Sequence, residues 1–70
     1  MYLTDFLFTL APGIFVRIKF DGFADPFCFI TGPRITGQKV EQLAKHGHSE
    51  AKVVEIYPLW KAQELYIHCY

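Results

Sequence analysis

The first ten residues carry apolar side chains at helical spacing. The ones that fall on a single helical face, at i, i+3, i+4 and i+7, are Leu3, Phe6, Leu7 and Leu10. Thr4 is a suitable N-cap residue, and Asp5 suits the positive end of a helix dipole. We therefore expect a short first helix that begins at Thr4 and stops before Pro12 and Gly13.

Residues 14–20 change to the alternation that is typical of a strand. One face carries Ile14, Val16, Ile18 and Phe20, and the other carries Phe15, Arg17 and Lys19. This alternation indicates a sheet that is covered on one side only. Asp21 and Gly22 favour a turn, and a second strand is expected over residues 27–31. The two strands are predicted to form a hairpin with a long tip.

A second helix is expected after the glycine-rich segment that follows this hairpin. Thr36 suits its N-cap, and Gly47 suits the left-handed position just after its end at about His46. The predicted apolar stripe of this helix is narrow and consists of Val40, Leu43 and Ala44.

Two further strands are expected over residues 51–59 and 64–70. Pro58 keeps the first of them out of a central position in a sheet. The element order is then α-β-β-α-β-β, which favours an α+β fold with a four-stranded, mostly antiparallel sheet and two short helices. A small open barrel is the alternative. The 70 residues suffice for one domain, residues 1–70.

Composition narrows the classes of function. Seven basic and seven acidic residues give a net charge of zero, which argues against a main role in binding nucleic acid or an anionic membrane. No apolar run reaches the roughly 18 residues of a membrane span, and the first residues lack the positive charge of a signal peptide. We expect a cytoplasmic protein whose cysteines, Cys28 and Cys69, are buried, reduced thiols in apolar strands.

Catalysis and metal binding find little support in the chain. His46 and His48 are separated by one glycine, and His68 and Cys69 lie on a distant strand, whereas zinc sites need a well-spaced set of ligands. No motif groups a nucleophile with a base and an orienting acid. We expect neither an enzyme nor a bound cofactor or metal.

Residues 31–39 form the segment most suited to a ligand. It combines two glycines with Arg34, Lys39 and the start of a helix, where backbone N–H groups bind phosphates. Thr36 and the Gly37 amide are predicted to assist. The order of a Walker loop is missing. A solvated loop beside a capped helix explains the same residues.

Two other places combine cations or aromatic rings. Arg17 and Lys19 share a strand face with Phe15, an arrangement that suits charge pairing and stacking with a nucleotide. Tyr57 and Trp60 lie near the last turn and are candidates for stacking on a base. The alternatives are an exposed strand face and a small core beneath that turn.

The layout as a whole carries a resemblance. Its parts are a helix at residues 4–7, the strand Phe15-Val16-Arg17-Ile18, a glycine-bounded loop, a small helix, Val53-Val54-Glu55-Ile56-Tyr57 and Glu64-Leu65-Tyr66-Ile67-His68. This layout resembles small proteins of phages and bacterial mobile elements. Some of these are anti-defence factors, including oligomeric sponges that sequester cyclic nucleotide immune signals. The resemblance implies a non-catalytic binding protein, located in the host cytosol if a phage encodes it.

The resulting hypothesis is capture of a phosphorylated small ligand such as a cyclic nucleotide. The candidate ligand-binding residues are Arg17, Lys19, Arg34, Thr36, Gly37, Lys39, Tyr57 and Trp60. The alternative is a protein–protein inhibitor or adaptor with an aromatic surface, for which Phe23, Phe27 and Tyr70 are candidate anchors.

A homo-oligomer is also expected. Residues 64–70 alternate, so that Tyr66, His68 and Tyr70 share the face opposite Leu65 and Ile67. Burial of such aromatic side chains between copies of the chain is favourable, and Tyr66 and Tyr70 are predicted to lie at or near the interface.

Overall fold

The computed structural model describes residues 1–70 and contains two helices and four strands. In chain order these are α1 (Leu3–Leu7), β1 (Phe15–Phe20), β2 (Phe27–Ile30), α2 (Ile35–Lys45), β3 (Val53–Leu59) and β4 (Glu64–Cys69), with one 3-10 turn, Trp60–Ala62, between β3 and β4. No helix in it has the length and apolar character required to cross a bilayer.

The strands form one open sheet in the order β2-β1-β4-β3. The two hairpins, β1–β2 and β3–β4, are antiparallel, and their inner strands β1 and β4 pair in parallel. The predicted α+β fold with a four-stranded, mostly antiparallel sheet is therefore confirmed. The sheet does not close on itself, so the alternative of a small barrel is wrong.

Both helices pack on one side of the sheet. The buried apolar cluster joins Leu3 and Leu7 of α1 and Leu43 of α2 to strand residues that all point to this side, namely Val16, Ile18, Phe20, Phe29, Leu65, Ile67 and Cys69. We call this side the helix-covered face and the opposite side the open face. The alternation in β1 arises here, because Arg17 and Lys19 point to the open face and are exposed.

The first helix begins two residues earlier than the predicted N-cap indicates, and it ends at Leu7, before the expected stop at Pro12 and Gly13. Its N-cap is Tyr2, no side chain caps it, and Thr4 lies inside it. The physical reason is tertiary, because the Leu3 N–H donates to the Ala51 carbonyl oxygen at 2.8 Å and so ties the helix start to the segment before β3. The predicted N-cap at Thr4 is wrong, whereas Leu3 and Leu7 of the predicted apolar face are buried.

The second helix shows the same difference at its start. Arg34 is its N-cap and provides no side-chain hydrogen bond. The hydroxyl of Thr36 is buried and accepts a hydrogen bond from the Gly32 N–H at 3.2 Å, so it stabilises the preceding loop instead of the helix end. Within the predicted stripe Leu43 is buried but Ala44 is exposed.

The end of α2 agrees with the sequence. Gly47 has a φ of 85°, and the His48 N–H donates to the Leu43 carbonyl oxygen at 2.8 Å. This left-handed position favours glycine because other residues meet a steric penalty there.

The strand ends differ from the expected ones by one or two residues, and the positions of the strands are as expected. β3 is an edge strand, as Pro58 indicates, and it begins at Val53 with an irregularity of register between Val53 and Glu55. The prediction for the cysteines holds for only one of them. Cys69 is buried, but Cys28 pairs with Arg17 across β1 and β2 and is exposed on the open face.

Candidate functional site

The register of the sheet arranges the open face in rows that run across the strands. The middle row holds Cys28, Arg17, Tyr66 and Tyr57, one residue from each strand in sheet order. The row on one side holds Lys19, His68 and Glu55, and the row on the other side holds Ile30, Phe15, Glu64 and Leu59. The face thus grades from charged through aromatic and cationic to largely apolar.

A depression of about 500 Å³ lies over the middle and charged rows. We call it the open-face depression, and it is lined by Arg17, Lys19, Asp21, Tyr57, Tyr66, Ile67 and His68. Its volume falls within the range of about 300–1,000 Å³ that is usual for small-molecule sites. Its lining residues lie on β1, β3 and β4 or directly after β1, so their positions are fixed by strand pairing.

Arg17 is placed by an aromatic neighbour. Its guanidinium carbon lies 5.6 Å from the centroid of the Tyr66 ring, within the range of a cation–π contact. Arg17 and Tyr66 are register partners in the parallel β1–β4 pair. Stacking uses the face of the guanidinium and leaves the N–H groups at its edge able to bind an anion.

His68 is held between two carboxylates. Its Nε2 atom lies 2.6 Å from Asp21 Oδ1, and its Nδ1 atom lies 3.7 Å from Glu55 Oε1. The hydrogen bond with Asp21 is the main reason why the pKa of His68 is raised above its ordinary value, although desolvation opposes this shift. The protonated imidazole is therefore favoured in the folded protein.

The same carboxylate of Glu55 also positions Tyr57. The Tyr57 hydroxyl donates a hydrogen bond to Glu55 Oε2, and this bond raises the pKa of the Tyr57 phenol above its ordinary value. The ring is thereby held at the side of the depression opposite Arg17, since Tyr57 and Arg17 flank Tyr66 in the middle row.

The local charge of the depression is positive when His68 is protonated. Arg17, Lys19 and His68 then provide three cations, and Asp21 and Glu55 provide two carboxylates. A neutral chain thus carries a small cationic excess at one place, which suits a ligand with few negative charges.

The residues predicted from the loop and second helix do not join this site. Arg34 is exposed at the start of α2, and Gly37 lies in its first turn. The Lys39 ammonium lies 5.7 Å from the centroid of the Phe27 ring, on the helix-covered face. The sheet separates these groups from Arg17 and Lys19.

The hydroxyls of that segment already have partners in the protein. Thr31 Oγ1 donates to the Ala11 carbonyl oxygen at 2.7 Å and accepts from the Ile14 N–H at 3.0 Å. Thr36 Oγ1 accepts from Gly32, as described above. These threonines hold the loop together, which is the simpler explanation for their presence.

Trp60 also lies away from the open-face depression. It is 73% exposed in the 3-10 turn and lines a separate hollow of about 250 Å³ with Pro12, Ile14 and Gln63. Of the eight residues predicted to bind a ligand, the structure brings together Arg17, Lys19 and Tyr57.

Five residues of the site do not appear among the predicted ligand-binding residues: Asp21, Glu55, Tyr66, Ile67 and His68. Alternation in β4 places Tyr66 and His68 on one face, but only the parallel register brings that face next to Arg17 and Lys19. In the sequence, Asp21 indicates only a turn after β1. The information needed to join them is long-range pairing.

The other histidine-containing segment has an aromatic role. The His48 ring stacks on Phe20 with centroids 4.0 Å apart, and Phe23 contacts His48 edge-on at 5.0 Å.

No group of three or more His, Cys, Asp and Glu side chains is arranged to hold a metal ion. Tyr70 follows β4, is 72% exposed and lines a shallow hollow with the rings of Phe20, Phe23 and His48.

Comparisons with protein families, with curated proteins and with solved structures find no significant match to this chain.

Proposed function

We propose that the protein is a non-catalytic binding protein that captures a small phosphorylated ligand of nucleotide type in the open-face depression. The observation that carries the proposal is the placement of Arg17 and Lys19 beside Tyr66 and Tyr57 on one face of the paired strands. This arrangement offers charge for a phosphate and aromatic surface for a base within one small volume.

The phosphate is assigned to the side of Arg17 and Lys19. The two residues lie on the same face of β1, two positions apart, so both side chains reach the same group. The Arg17 guanidinium is already stacked on Tyr66, so less of its freedom is lost on binding. Hydrogen bonds to charged groups contribute about 1.5–3 kcal/mol each.

The base is assigned to the tyrosines. Tyr66 is half-buried and Tyr57 is exposed, and base–aromatic stacking contributes about 1–3 kcal/mol. The carboxylates of Asp21 and Glu55 accept hydrogen bonds from the N–H groups of a base or from sugar hydroxyls. A ligand with all three parts therefore fits the gradation of the face.

The same carboxylates limit the charge of the ligand. A terminal triphosphate brings several negative charges close to Asp21, whereas a phosphodiester brings one per phosphate. The small cationic excess of the depression matches the diester better. Cyclic nucleotides, the class that the sequence resemblance implies, are diesters of this kind.

Binding without turnover is the better fit for the histidine. Both nitrogens of His68 face carboxylates of the protein, so neither is directed to a substrate as a general acid or base. A protein that only sequesters its ligand needs no such group. The proposal places the protein in the cytoplasm, where nucleotide signals occur.

A thermal-shift screen with linear and cyclic nucleotides tests this proposal. A ligand present at 100 times its dissociation constant stabilises the fold by about 2.7 kcal/mol. Nucleosides without phosphate and inorganic phosphate without a base serve as controls, and each alone is expected to give a smaller shift. The absence of a shift with every nucleotide contradicts the proposal.

A further inference from the structure

The outer edge of β3 has unpaired backbone groups whose direction can be derived. Gln63 and Cys69 of the β4 segment direct their carbonyl oxygens to β1, because Phe15 N–H and Asp21 N–H bond to them. The odd-numbered residues of β4 therefore direct their backbone N–H and carbonyl groups to β1 and away from β3. Ile56 and Pro58 pair with Ile67 and Leu65, which share this parity.

It follows that Ile56 and Pro58 direct their backbone away from β4, to the free edge. Pro58 has no N–H, in agreement with this position. Ile56 thus presents both an N–H and a carbonyl oxygen, and Pro58 presents a carbonyl oxygen alone.

The start of this edge is already occupied by the chain itself. The Val53 N–H donates to the Met1 carbonyl oxygen at 3.0 Å, and Tyr2 forms an isolated antiparallel bridge with Lys52. The free part of the edge begins after Val53 and is short.

The side chains of this free part are uncovered on both faces of the sheet. Its exposed large apolar residues are Val54, Ile56, Tyr57 and Leu59, and Trp60 follows directly. Neither helix covers β3, whose residues after Val53 are all exposed. An edge of this kind is a template for pairing with another strand.

We propose that β3 pairs antiparallel with β3 of a second copy of this chain, about a two-fold axis at Ile56. In this register Ile56 faces the second copy's Ile56, and the two exchange both backbone hydrogen bonds. A shift that sets Ile56 opposite the second copy's Pro58 leaves the Ile56 carbonyl oxygen without a donor. In the Ile56-centred register Pro58 lies opposite the second copy's Val54, at the two ends of the paired segment. The absent N–H of Pro58 therefore favours this register, which keeps the central pair of hydrogen bonds complete.

The side chains in this register are self-complementary, which is why the partner is a second copy. Two-fold pairing at Ile56 sets Tyr57 opposite the second copy's Glu55, and Glu55 opposite the second copy's Tyr57. Each Tyr57 hydroxyl already donates to Glu55 of its own chain. The pairing therefore sets two such hydrogen-bonded pairs side by side, and no like charges lie directly opposite each other. The result is one eight-stranded sheet with both open-face depressions on the same side.

This interface differs from the one expected at Tyr66 and Tyr70. Tyr66 lies in the open-face depression, and its ring already contacts the Arg17 guanidinium. Pairing through β3 brings the second copy's Glu55 beside Tyr57 at one side of that depression and leaves the side of Arg17 and Lys19 accessible. The proposal therefore stands or fails independently of ligand binding.

The oligomeric state of the full chain, measured by sedimentation and light scattering at micromolar concentration, tests the proposal. Wild type is expected at twice 8.1 kDa. Ile56→Lys is expected at the monomer mass, because a lysine on the edge opposes strand pairing. Ile30→Lys makes the same change on the edge strand β2, also at an exposed isoleucine, and is expected to remain dimeric.

A second pair of variants tests the register. In a Cys28→Ser background, Ile56→Cys places two thiols opposite each other at about 5.5 Å between Cα atoms, within disulfide reach. It is expected to cross-link fully under mild oxidation, whereas Leu59→Cys, displaced along both strands, is expected not to.

The proposal is overturned by a wild-type mass of 8.1 kDa, by a dimer that survives Ile56→Lys, or by equal cross-linking of Ile56→Cys and Leu59→Cys. A dimer that is instead lost in Tyr66→Ser/Tyr70→Ser assigns the interface to the open face and also overturns it.

Discussion

The His68 imidazole, placed between the carboxylates of Asp21 and Glu55, is the residue that couples the open face to pH. Because its pKa is raised in the folded protein, folding favours the protonated form. The stabilisation is complete below the unfolded pKa of 6.5 and is lost as pH rises through the raised value.

We predict that wild type is more stable than His68→Gln at low pH and that this difference shrinks as pH increases. Thermal unfolding midpoints of both proteins, measured in a series from about pH 5.5 to pH 8.5, check the prediction. His46 and His48 are present in both proteins, so their contributions cancel in the difference. A difference that stays constant or grows with pH contradicts the assignment.

The two cysteines are predicted to differ in reactivity. Burial raises the pKa of the Cys69 thiol to about 11, whereas Cys28 is exposed on the open face. Native protein is therefore expected to react with one equivalent of a thiol reagent quickly, and unfolded protein with two. Cys28→Ser is expected to abolish the fast reaction, and Cys69→Ser to leave it unchanged. Fast native labelling of Cys28→Ser contradicts the placement of Cys69.

Single residues also show what local sequence does not determine. Cys28 and Cys69 both lie in apolar strands, and only their parity relative to the covered face separates them. For Cys69 the parity follows from Leu65 and Ile67, which are buried. For Cys28 it follows from Phe29, and alternation from that residue would have placed Cys28 on the open face.

At the scale of elements, α2 attaches to the sheet through a narrow contact. Leu43 is almost completely buried, with 1% of its surface exposed, whereas the adjacent Ala44 is exposed. Leu43 joins the cluster with Val16 and Ile67 and fixes the helix on the covered face. We therefore expect Leu43 to contribute much more than Ala44 to the free energy of unfolding.

We predict that Leu43→Ala lowers the free energy of unfolding by about 2–5 kcal/mol, as is usual when a buried leucine is truncated. The matched change Ala44→Gln is expected to alter it by less than about 0.5 kcal/mol, because the position is exposed and glutamine is a good helix former. Urea unfolding of the two variants checks this. Equal losses would show that the helix packs through a different face.

The elements themselves were predictable because their patterns are local. Alternation in β1 and β4 indicates which face of each strand is buried. Gly47 marks the end of α2, and Pro58 marks β3 as an edge strand. The starts of the helices were not predictable in this way. Thr4 and Thr36 are of a residue type that suits an N-cap, but the start of α1 is tied to Ala51 through the Leu3 N–H. The Thr36 hydroxyl bonds to the preceding loop at Gly32.

At the scale of the whole molecule, the parallel pairing of β1 with β4 assembles the open-face depression. It aligns Arg17 with Tyr66 and Lys19 with His68, and the antiparallel β3–β4 pair adds Glu55 and Tyr57. Tyr66 and His68 are both far along the chain from the β1 residues that they pair with, Arg17 and Lys19. The sequence supplies the residue types, and the sheet order supplies their combination.

The division of the predicted binding residues has a similar origin. The helix α2 packs through Leu43 on the helix-covered face, and it carries Thr36, Gly37 and Lys39 with Arg34 as its N-cap. Arg17 and Lys19 point away from that face. The alternation in β1 together with the stripe of α2 already implies this separation, so one ligand does not bridge the two groups within a single copy of the chain.

The most direct measurement is a calorimetric titration of a cyclic nucleotide into two matched double variants and wild type. Arg17→Gln/Lys19→Gln removes two positive charges from the open-face depression, and Arg34→Gln/Lys39→Gln removes two from the helix side. The first is predicted to weaken binding at least about tenfold, since charged hydrogen bonds contribute about 1.5–3 kcal/mol. The second is predicted to change affinity less than about twofold, as expected for charges screened by solvent. Equal losses, or a larger loss in the second variant, would contradict a ligand site on the open face.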